Sequence, residues 1–188
     1  VMEPWATGLR NPVGLTYRPG TRDLWCTVVE RDYMGDDVVP DFLTQIHKGD
    51  NYGWPSYYIG KNRDPKAPRP ARSSKTPRVP DVLFTAHSVP LGLTFCDSPK
   101  FPASYQGDLF VAMRGSTNRS LMTGYEVVRV RFKDGKPNPT YEEFVTGWCP
   151  NRKSQTVYGR PVGLAWWTDG SLLIADEGGN RIWRVLHD

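Results

Sequence analysis

The sequence predicts an all-β fold, because turn-forming residues are frequent and no helical pattern is sustained. The 188 residues include 18 Gly, 17 Pro and 12% aromatic residues, and turn signals recur about every ten residues. No stretch keeps apolar residues at helical spacing for three turns without a Gly or Pro interrupting it. With 38% hydrophobic and 23% charged residues, residues 1–188 suit one globular domain with a hydrophobic core.

One phrase occurs three times and gives the fold its repeat. Pro12–Tyr17 reads PVGLTY, Pro90–Phe95 reads PLGLTF and Pro161–Trp166 reads PVGLAW. Second and third strands are predicted after each copy, at Leu24–Val29 and Leu43–Ile46, at Asp108–Ala112 and Tyr125–Val130, and at Ser171–Ala175 and Arg181–Val185. The runs Val82–Phe84 and Glu143–Val145 are predicted to be outer strands. A repeated four-stranded unit indicates a β-propeller.

The copies begin near residues 12, 90 and 161, which is 78 and 71 residues apart. Compact propeller blades repeat every 40–50 residues or so, so the excess is expected in loops, above all in 56–80. Propellers close with about four to eight blades. The three predicted blades are therefore expected to need further blades, from the same or another chain, to close a ring. A β-sandwich with a chance recurrence of the phrase is the alternative fold.

Charge, hydropathy and cysteine usage exclude several classes of function. The 24 Lys and Arg against 20 Asp and Glu suit an anionic ligand, but no nucleic-acid motif is present. Mean hydropathy is −0.53, and without an apolar run near ~18 residues no membrane span is expected. The cysteines Cys26, Cys96 and Cys149 are too far apart for a CxxC zinc site or a dense disulfide framework. One disulfide together with one free thiol is still compatible with the sequence.

Five phrases together resemble the soluble pyrroloquinoline quinone (PQQ) sugar dehydrogenases, in their sorbosone-dehydrogenase-like branch. They are GLRNPVGL at 8–15, NYGWP at 51–55, HSVPLGL at 87–93, GDLFVA at 107–112 and GRPVGL at 159–164. The resemblance implies a six-bladed propeller, of which about three blades are present here, with PQQ and calcium at its axis. It also implies oxidation of an aldose, alditol or aldehyde by hydride transfer, in the periplasm or outside the cell. Electrons would then pass to an external acceptor such as a cytochrome c or a quinone.

The resemblance also implies which residues form the site. A planar guanidinium can hold a carboxylate or quinone oxygen through two parallel hydrogen bonds. The expected cofactor-binding residues are Arg10, Asn11, His87, Arg114 and Arg160. The backbone carbonyls of Gly53, Trp54 and Pro55 are expected to bind calcium, which prefers hard oxygen ligands. Asp36 and Asp37 are a weaker candidate for a second calcium, since such paired acids are more often only solvated.

Two departures from the family pattern favour an alternative function. The segment Arg114–Arg119 reads RGSTNR, where the family usually has HGSWNR, which indicates altered substrate choice or lost activity. The expected base histidine lies upstream of this chain, and neither His47, predicted on an outer strand, nor His187 replaces it. A non-catalytic propeller that binds a carbohydrate or a protein partner is therefore the alternative. A lactonase-type hydrolase is less favoured because axial acidic ligands are scarce.

The basic, Pro-rich stretch 61–75 has no strand periodicity and is predicted to be a loop over the substrate mouth. Docking of an acidic electron acceptor is the alternative role for this stretch.

Overall fold

A computed structural model describes residues 1–67, 76–116 and 118–187. The all-β prediction is confirmed: the described residues form fifteen strands and one short 3₁₀ helix, Ala103–Tyr105. The strands are β1 (Asn11–Tyr17), β2 (Leu24–Val29), β3 (Phe42–Ile46), β4 (Tyr57–Tyr58), β5 (Asn62–Arg63), β6 (Val82–Leu83), β7 (Pro90–Phe95), β8 (Leu109–Met113), β9 (Glu126–Val130), β10 (Phe132–Lys133), β11 (Lys136–Pro137), β12 (Glu142–Val145), β13 (Pro161–Trp166), β14 (Leu172–Asp176) and β15 (Arg181–Val185). Among these residues no helix is long and apolar enough to cross a membrane.

Three antiparallel sheets follow one another along the chain, and we call them blades 1 to 3. Blade 1 has the strand order β1-β2-β3-β6 and blade 2 the order β7-β8-β9-β12. Blade 3 has three strands, β13-β14-β15, so β15 is an edge strand in the described structure. The two predicted outer strands are thus found as β6 and β12.

The three repeated phrases form the inner strands β1, β7 and β13, which pack side by side. Glycine permits this close approach. A Cβ on Gly14 would clash with the Leu91 carbonyl oxygen of β7, and one on Gly92 would lie 2.7 Å from the Val162 carbonyl oxygen of β13. The predicted crowding of inner strands is therefore present, and the sheets fan outward from it as propeller blades do.

Apolar side chains fill the space between the blades. Trp25 and Leu43 of blade 1 pack against Leu93 and Phe95 of blade 2 in one buried cluster. A second cluster joins blade 2 to blade 3 and contains Phe110, Val127, Leu172 and Ile174, with Leu164 and Trp166 packed against it. Each blade therefore buries one face against its neighbour, which is the geometry that makes the stack cooperative.

Several details differ from the sequence predictions. His47 does not lie in an outer strand; it follows the last residue of β3, because β3 ends at Ile46. The 56–80 segment is not wholly irregular, since β4 and β5 pair in a small antiparallel ribbon. Residues 68–75 lie outside the described part of the chain.

All three cysteines are free, so the structure contains none of the disulfides that the sequence left possible. Cys26 and Cys96 are buried, and Cys149 is half-buried. Burial raises the pKa of the Cys26 thiol to about 12, so this thiol stays protonated and behaves as a small apolar side chain.

The inner-strand glycines give a direct test of the blade stacking. We expect Gly92→Ala to lower the free energy of unfolding by about 2 kcal/mol or more, because the new methyl group overpacks the β7–β13 contact. Gly163→Ala is the matched control, since a Cβ there would meet only Ala175 at an ordinary 3.4 Å. Urea unfolding of dilute protein measures both, and equal losses would contradict the stacking argument.

Candidate functional site

The candidate site lies at one edge of all three blades, which we call the top edge. Here the inner strands begin and the second strands end, as the pairs Asn11 with Val29, Pro90 with Met113 and Pro161 with Asp176 show. The residues that precede each inner strand and those that follow each second strand therefore meet at the same edge. This brings four of the predicted cofactor residues, Arg10, His87, Arg114 and Arg160, to one side of the fold.

Arg10 and His87 are joined through an acid that the sequence reasoning did not select. The Arg10 guanidinium donates to the Glu30 carbonyl at 2.7 Å and to an Asp32 carboxylate oxygen at 3.4 Å. The other Asp32 oxygen lies 3.3 Å from His87 Nδ1, while His87 Nε2 lies 2.9 Å from the Gly35 carbonyl oxygen. His87 is buried. Asp32 therefore links the lead-in of blade 1 to that of blade 2.

Two buried carboxyl groups, Glu30 and Asp41, lie beside this network. Asp41 accepts hydrogen bonds from the Glu30 amide at 2.7 Å and from the Val89 amide at 2.8 Å. Burial raises the pKa of Asp41 to about 6. Burial, with a further contribution from the Asp41 charge, raises the pKa of Glu30 to about 7. The corner between blades 1 and 2 thus holds carboxyl groups that retain protons to unusually high pH.

Arg114 and Arg160 meet around Glu177, between blades 2 and 3. The Arg114 guanidinium donates to both Glu177 carboxylate oxygens, at 2.7 and 2.9 Å. That hydrogen bonding lowers the pKa of Glu177. The Arg160 guanidinium lies over the Tyr125 ring, 5.0 Å from its centroid. Arg114 is therefore engaged by an acid, whereas Arg160 makes a cation–π contact.

Among the described residues, Arg160 is the predicted cofactor residue that has a buried nitrogen without an acceptor. Its Nη1 atom is buried without a hydrogen-bond partner in the described structure. The same guanidinium lines a cavity of about 200 Å³ together with Ser116, Arg119, Lys153 and Gln155, among others. No carboxylate stands among the described residues that line this cavity. Because a buried N–H group is costly without an acceptor, the Nη1 group of Arg160 makes this corner favour an anionic ligand.

The backbone at Arg160 is fixed by one carboxylate. Asp176 accepts hydrogen bonds from the Arg160 amide at 2.6 Å and the Gly179 amide at 2.8 Å. Its second oxygen accepts from the indole nitrogens of Trp148 at 3.0 Å and Trp183 at 2.8 Å. Four donors converge on Asp176, so the start of β13 has a defined orientation.

The remaining predicted residues stay outside these two clusters. Asn11 is exposed at the start of β1. Segment 53–55 packs beside the lead-in to Arg10, through a hydrogen bond from the Trp54 amide to the Gly8 carbonyl at 2.9 Å. The Gly53 carbonyl accepts from the amides of both Ser56 and Tyr57, which occupies its lone pairs and does not fit a calcium ligand.

Acidic residues near Arg119 do not form a metal site. Arg119 donates to the Asp36 carbonyl and, at 2.8 Å, to the Asp37 carboxylate, so both residues serve a contact between blade loops. Within 1–67, 76–116 and 118–187, no group of three His, Cys, Asp or Glu side chains is placed to hold a metal.

The loop after β5 also reaches the top edge. Arg31 pairs with Asp64, and Lys66 donates to the Tyr33 carbonyl at 2.8 Å. The described part of the basic stretch therefore packs on the β2–β3 loop, in keeping with a loop that borders the site; its role in covering a substrate stays a prediction.

Sequence reasoning missed Asp32 and Glu177, the acids that organise the two clusters. A signal for both was available. Each follows closely after the second strand of its blade, and that position lies at the same edge as the cation before the inner strand. The sequence prediction selected cations only, so it included Arg10 and Arg114 but not the acids that pair with them.

A family model described as TrAA12-like matches residues 71–188. The chain belongs to the TrAA12-like family. This confirms the predicted kinship with soluble PQQ-dependent sugar dehydrogenases at the family level. The sorbosone-dehydrogenase-like branch stays a prediction.

Curated relatives of this TrAA12-like chain include a protein of Borreliella burgdorferi described as uncharacterized, 33% identical over 192 residues. That match covers 97% of the chain and 48% of the relative. The aldose sugar dehydrogenase YliI of Escherichia coli is 31% identical over 111 residues, covering 58% of the chain and 28% of YliI. The chain thus spans about half the length of the Borreliella burgdorferi relative and a smaller share of YliI.

Solved structures support the fold of the TrAA12-like chain. The iodide structure of a Trichoderma reesei carbohydrate-active enzyme of family AA12 has a TM-score of 0.73 at 22% identity, covering 94% of this chain and 52% of that one. The holo PQQ domain of pyranose dehydrogenase from Coprinopsis cinerea has a TM-score of 0.70 at 19% identity, covering 97% and 55%. The resemblance to propeller dehydrogenases is shown, while a total of six blades stays a prediction.

The raised pKa of Glu30 gives a pH-dependent test of the first cluster. The unfolded chain releases the Glu30 proton above about pH 4.5, whereas the folded chain keeps it to about pH 7. Stability contributed by the protonated group is therefore lost as the pH rises between these values. Glu30→Gln removes this loss. We expect the effect of the substitution on the free energy of unfolding to be about 2–3 kcal/mol more favourable at pH 8 than at pH 4.

Urea unfolding at the two pH values measures this difference. Glu3→Gln is the control, because Glu3 is exposed and pairs only with Lys48 at the chain surface. A Glu30→Gln effect that is the same at both pH values would contradict the buried, protonated state.

Proposed function

We propose that this chain forms part of a quinoprotein sugar dehydrogenase in which PQQ binds at the top edge, beside Arg160. The observation that carries the proposal is the Arg160 guanidinium, which has a buried Nη1 without an acceptor and lines a cavity free of described carboxylates. Support comes from the family match and from the similarity to an aldose sugar dehydrogenase and a pyranose dehydrogenase PQQ domain.

The chemistry of Arg160 fits this cofactor. PQQ is a rigid tricarboxylate, and an arginine fork holds a carboxylate by charge-assisted hydrogen bonds that a lysine cannot reproduce. Lys153 lines the same cavity and adds positive charge, whereas the charge of Arg119 is paired with Asp37. Arg160 is held at its backbone by Asp176, so the guanidinium is offered from a fixed strand end.

We propose supporting roles for the other predicted cofactor residues. Arg10 and Arg114 already donate to Asp32 and Glu177, so they would contact the cofactor with their remaining N–H groups and chiefly hold the loops in place. His87 is bonded at both ring nitrogens, which suits a positioning role. Asn11 is exposed and free to turn toward a ligand.

When bound, PQQ supplies the hydride acceptor for oxidation of an aldose, alditol or aldehyde. The residues described here bind and orient; the proton acceptor is expected to be a histidine from a blade outside this chain. Calcium is part of the proposal at the family level, but Gly53 does not fit as a ligand and we assign it no role here. We further propose a periplasmic or secreted location and an external electron acceptor, such as a cytochrome c or a quinone.

One observation favours the non-catalytic alternative, a propeller that binds a carbohydrate or a protein partner. Of the three histidines, His87 is the one at the top edge, and both of its ring nitrogens face acceptors. A general base needs a free ring nitrogen within reach of the substrate hydroxyl. Without a histidine from another blade, the site would therefore bind without catalysing.

A titration of PQQ into the chain tests the proposal, with binding followed by calorimetry. We expect saturable binding that Arg160→Gln weakens by about tenfold or more, since a hydrogen bond to a charged group contributes about 1.5–3 kcal/mol. Arg160→Lys should recover only part of the affinity. Arg22→Gln is the matched control, because Arg22 is exposed in the turn at the opposite edge.

Absence of saturable PQQ binding, or equal affinity of the wild-type and Arg160→Gln chains, would contradict the proposed PQQ site. A redox-dye assay over aldoses and alditols, made on a protein that also carries the further blades and their expected histidine, then separates the two functions. Turnover supports the dehydrogenase, whereas PQQ binding without turnover favours the non-catalytic propeller.

A further inference from the structure

Another cavity at the top edge lies between blades 1 and 2, with a volume of about 210 Å³. We call it the outer cavity. Thr85, which follows β6, lines it from blade 1, and Glu126, which begins β9, lines it from blade 2. Glu126 pairs with Met113, the last residue of β8, so β9 begins at the top edge. Both sides of the outer cavity therefore belong to described blades.

Two buried polar side chains line the outer cavity without a hydrogen-bond partner among the described residues. Glu126 is 8% exposed and Thr123 is 6% exposed. Neither the Glu126 carboxyl nor the Thr123 hydroxyl has a partner in the described structure. Burial and the nearby Glu143 charge raise the pKa of Glu126 to about 7. Because buried polar side chains are normally hydrogen-bonded and are costly when they are not, both groups indicate a ligand.

The outer cavity combines an unused acceptor with an unused donor. Arg152 lines it together with Glu126, and its described contact is an ion pair with Glu143 at 4.0 Å, which is too long for a hydrogen bond. Arg119, the other cation of the lining, is already paired with Asp37. An ammonium ion could not accept from the Arg152 guanidinium, and a carboxylate could not donate to the Glu126 carboxylate. A hydroxyl group can do both, so the lining favours an uncharged ligand with several hydroxyl groups.

The size of the outer cavity suits one small ring. Pockets that bury drug-sized ligands have volumes of roughly 300–1,000 Å³, and this cavity is smaller than that range. Leu121 and Met122 add apolar surface to the lining, which can contact the C–H groups of a ring. The Tyr141 hydroxyl is bonded to Thr85 Oγ1 at 2.9 Å, so the wall of the cavity is fixed across the two blades.

We propose that the outer cavity binds a single ring of an uncharged polyol, which means one monosaccharide unit. Glu126 would accept hydrogen bonds from ligand hydroxyls, Arg152 would donate to them, and the Thr123 hydroxyl would do either. The site lies outside the proposed quinone pocket, with which it shares Arg119 and Met122 as lining residues. A bound ring would therefore lie beside the proposed cofactor site.

Amide chemical shifts of the ¹⁵N-labelled chain, titrated with D-glucose and with myo-inositol, test the proposal without any quinone. The titration is run at pH 8, above the raised pKa of Glu126. We expect saturable shifts at the amides around the outer cavity, those of Thr123 and Glu126 among them. Glu126→Gln should raise the Kd about tenfold, because a hydrogen bond to a charged group contributes that much or more. Thr123→Val should raise the Kd about threefold, since a hydrogen bond between neutral groups contributes less.

Glu142→Gln is the matched control, because Glu142 precedes Glu143 in β12 but pairs with Arg131 and does not line the cavity; it should bind both polyols as the wild type does. Urea unfolding establishes that each variant is folded. The proposal is wrong if neither polyol gives saturable shifts, if the shifts lie away from the outer cavity, or if Glu126→Gln binds as tightly as the wild type. Shifts of the same amides with methylammonium or calcium chloride, and not with the polyols, would overturn it in favour of a cation site. Because no quinone is present, the result is independent of the proposed cofactor.

Discussion

The close approach of the inner strands is the constraint on which the rest of the structure depends. Two glycines, Gly14 and Gly92, let one strand backbone lie against the next. Thr27 adds a polar bridge, accepting from the Gly14 amide at 3.0 Å and donating to the Leu91 carbonyl at 2.7 Å. Because β1, β7 and β13 are held in one register, their starting ends coincide. The top edge, and with it the meeting of cations from separate blades, follows from that register.

Electrostatics at the top edge divides into two corners of different character. Between blades 1 and 2, Asp32 serves both Arg10 and His87, and burial raises the pKa values of the neighbouring Glu30 and Asp41 carboxyl groups. Between blades 2 and 3, Arg114 forms an ion pair with Glu177, whereas Arg160 contacts the Tyr125 ring and has a buried Nη1 without a partner in the described structure. Of the two corners, the one between blades 2 and 3 is therefore the one that favours an anion.

The fold could be predicted from sequence because the repeat carries its own register. Three phrases of the form Pro-x-Gly-Leu fixed the inner strands, and apolar runs located the second and third strands to within one residue. The loops were less predictable, since β4 and β5 pair over two residues each and leave no periodic signal. The position assigned to His47 failed for a similar reason, because strand ends are set by pairing partners.

The candidate site was predictable in position but not in its ion pairs. Placing a cation before each inner strand needs only the repeat, and Arg10 and Arg160 follow from it. That Arg114 forms hydrogen bonds to Glu177, while Nη1 of Arg160 is left without a partner in the described structure, depends on loop geometry between blades. The role of Gly53 illustrates the same limit: glycine and proline suggested an ordered loop, but only the backbone hydrogen bonds show that its carbonyl is already used.

Asp176 holds a distinctive place in this arrangement, because four N–H groups converge on its two oxygens. An asparagine amide would present hydrogens of its own to some of these donors, and a longer acid would not keep the same reach. The two indoles bonded to this carboxylate share it with the backbone of Arg160. A displacement of that strand end would therefore also change the surroundings of both indole rings.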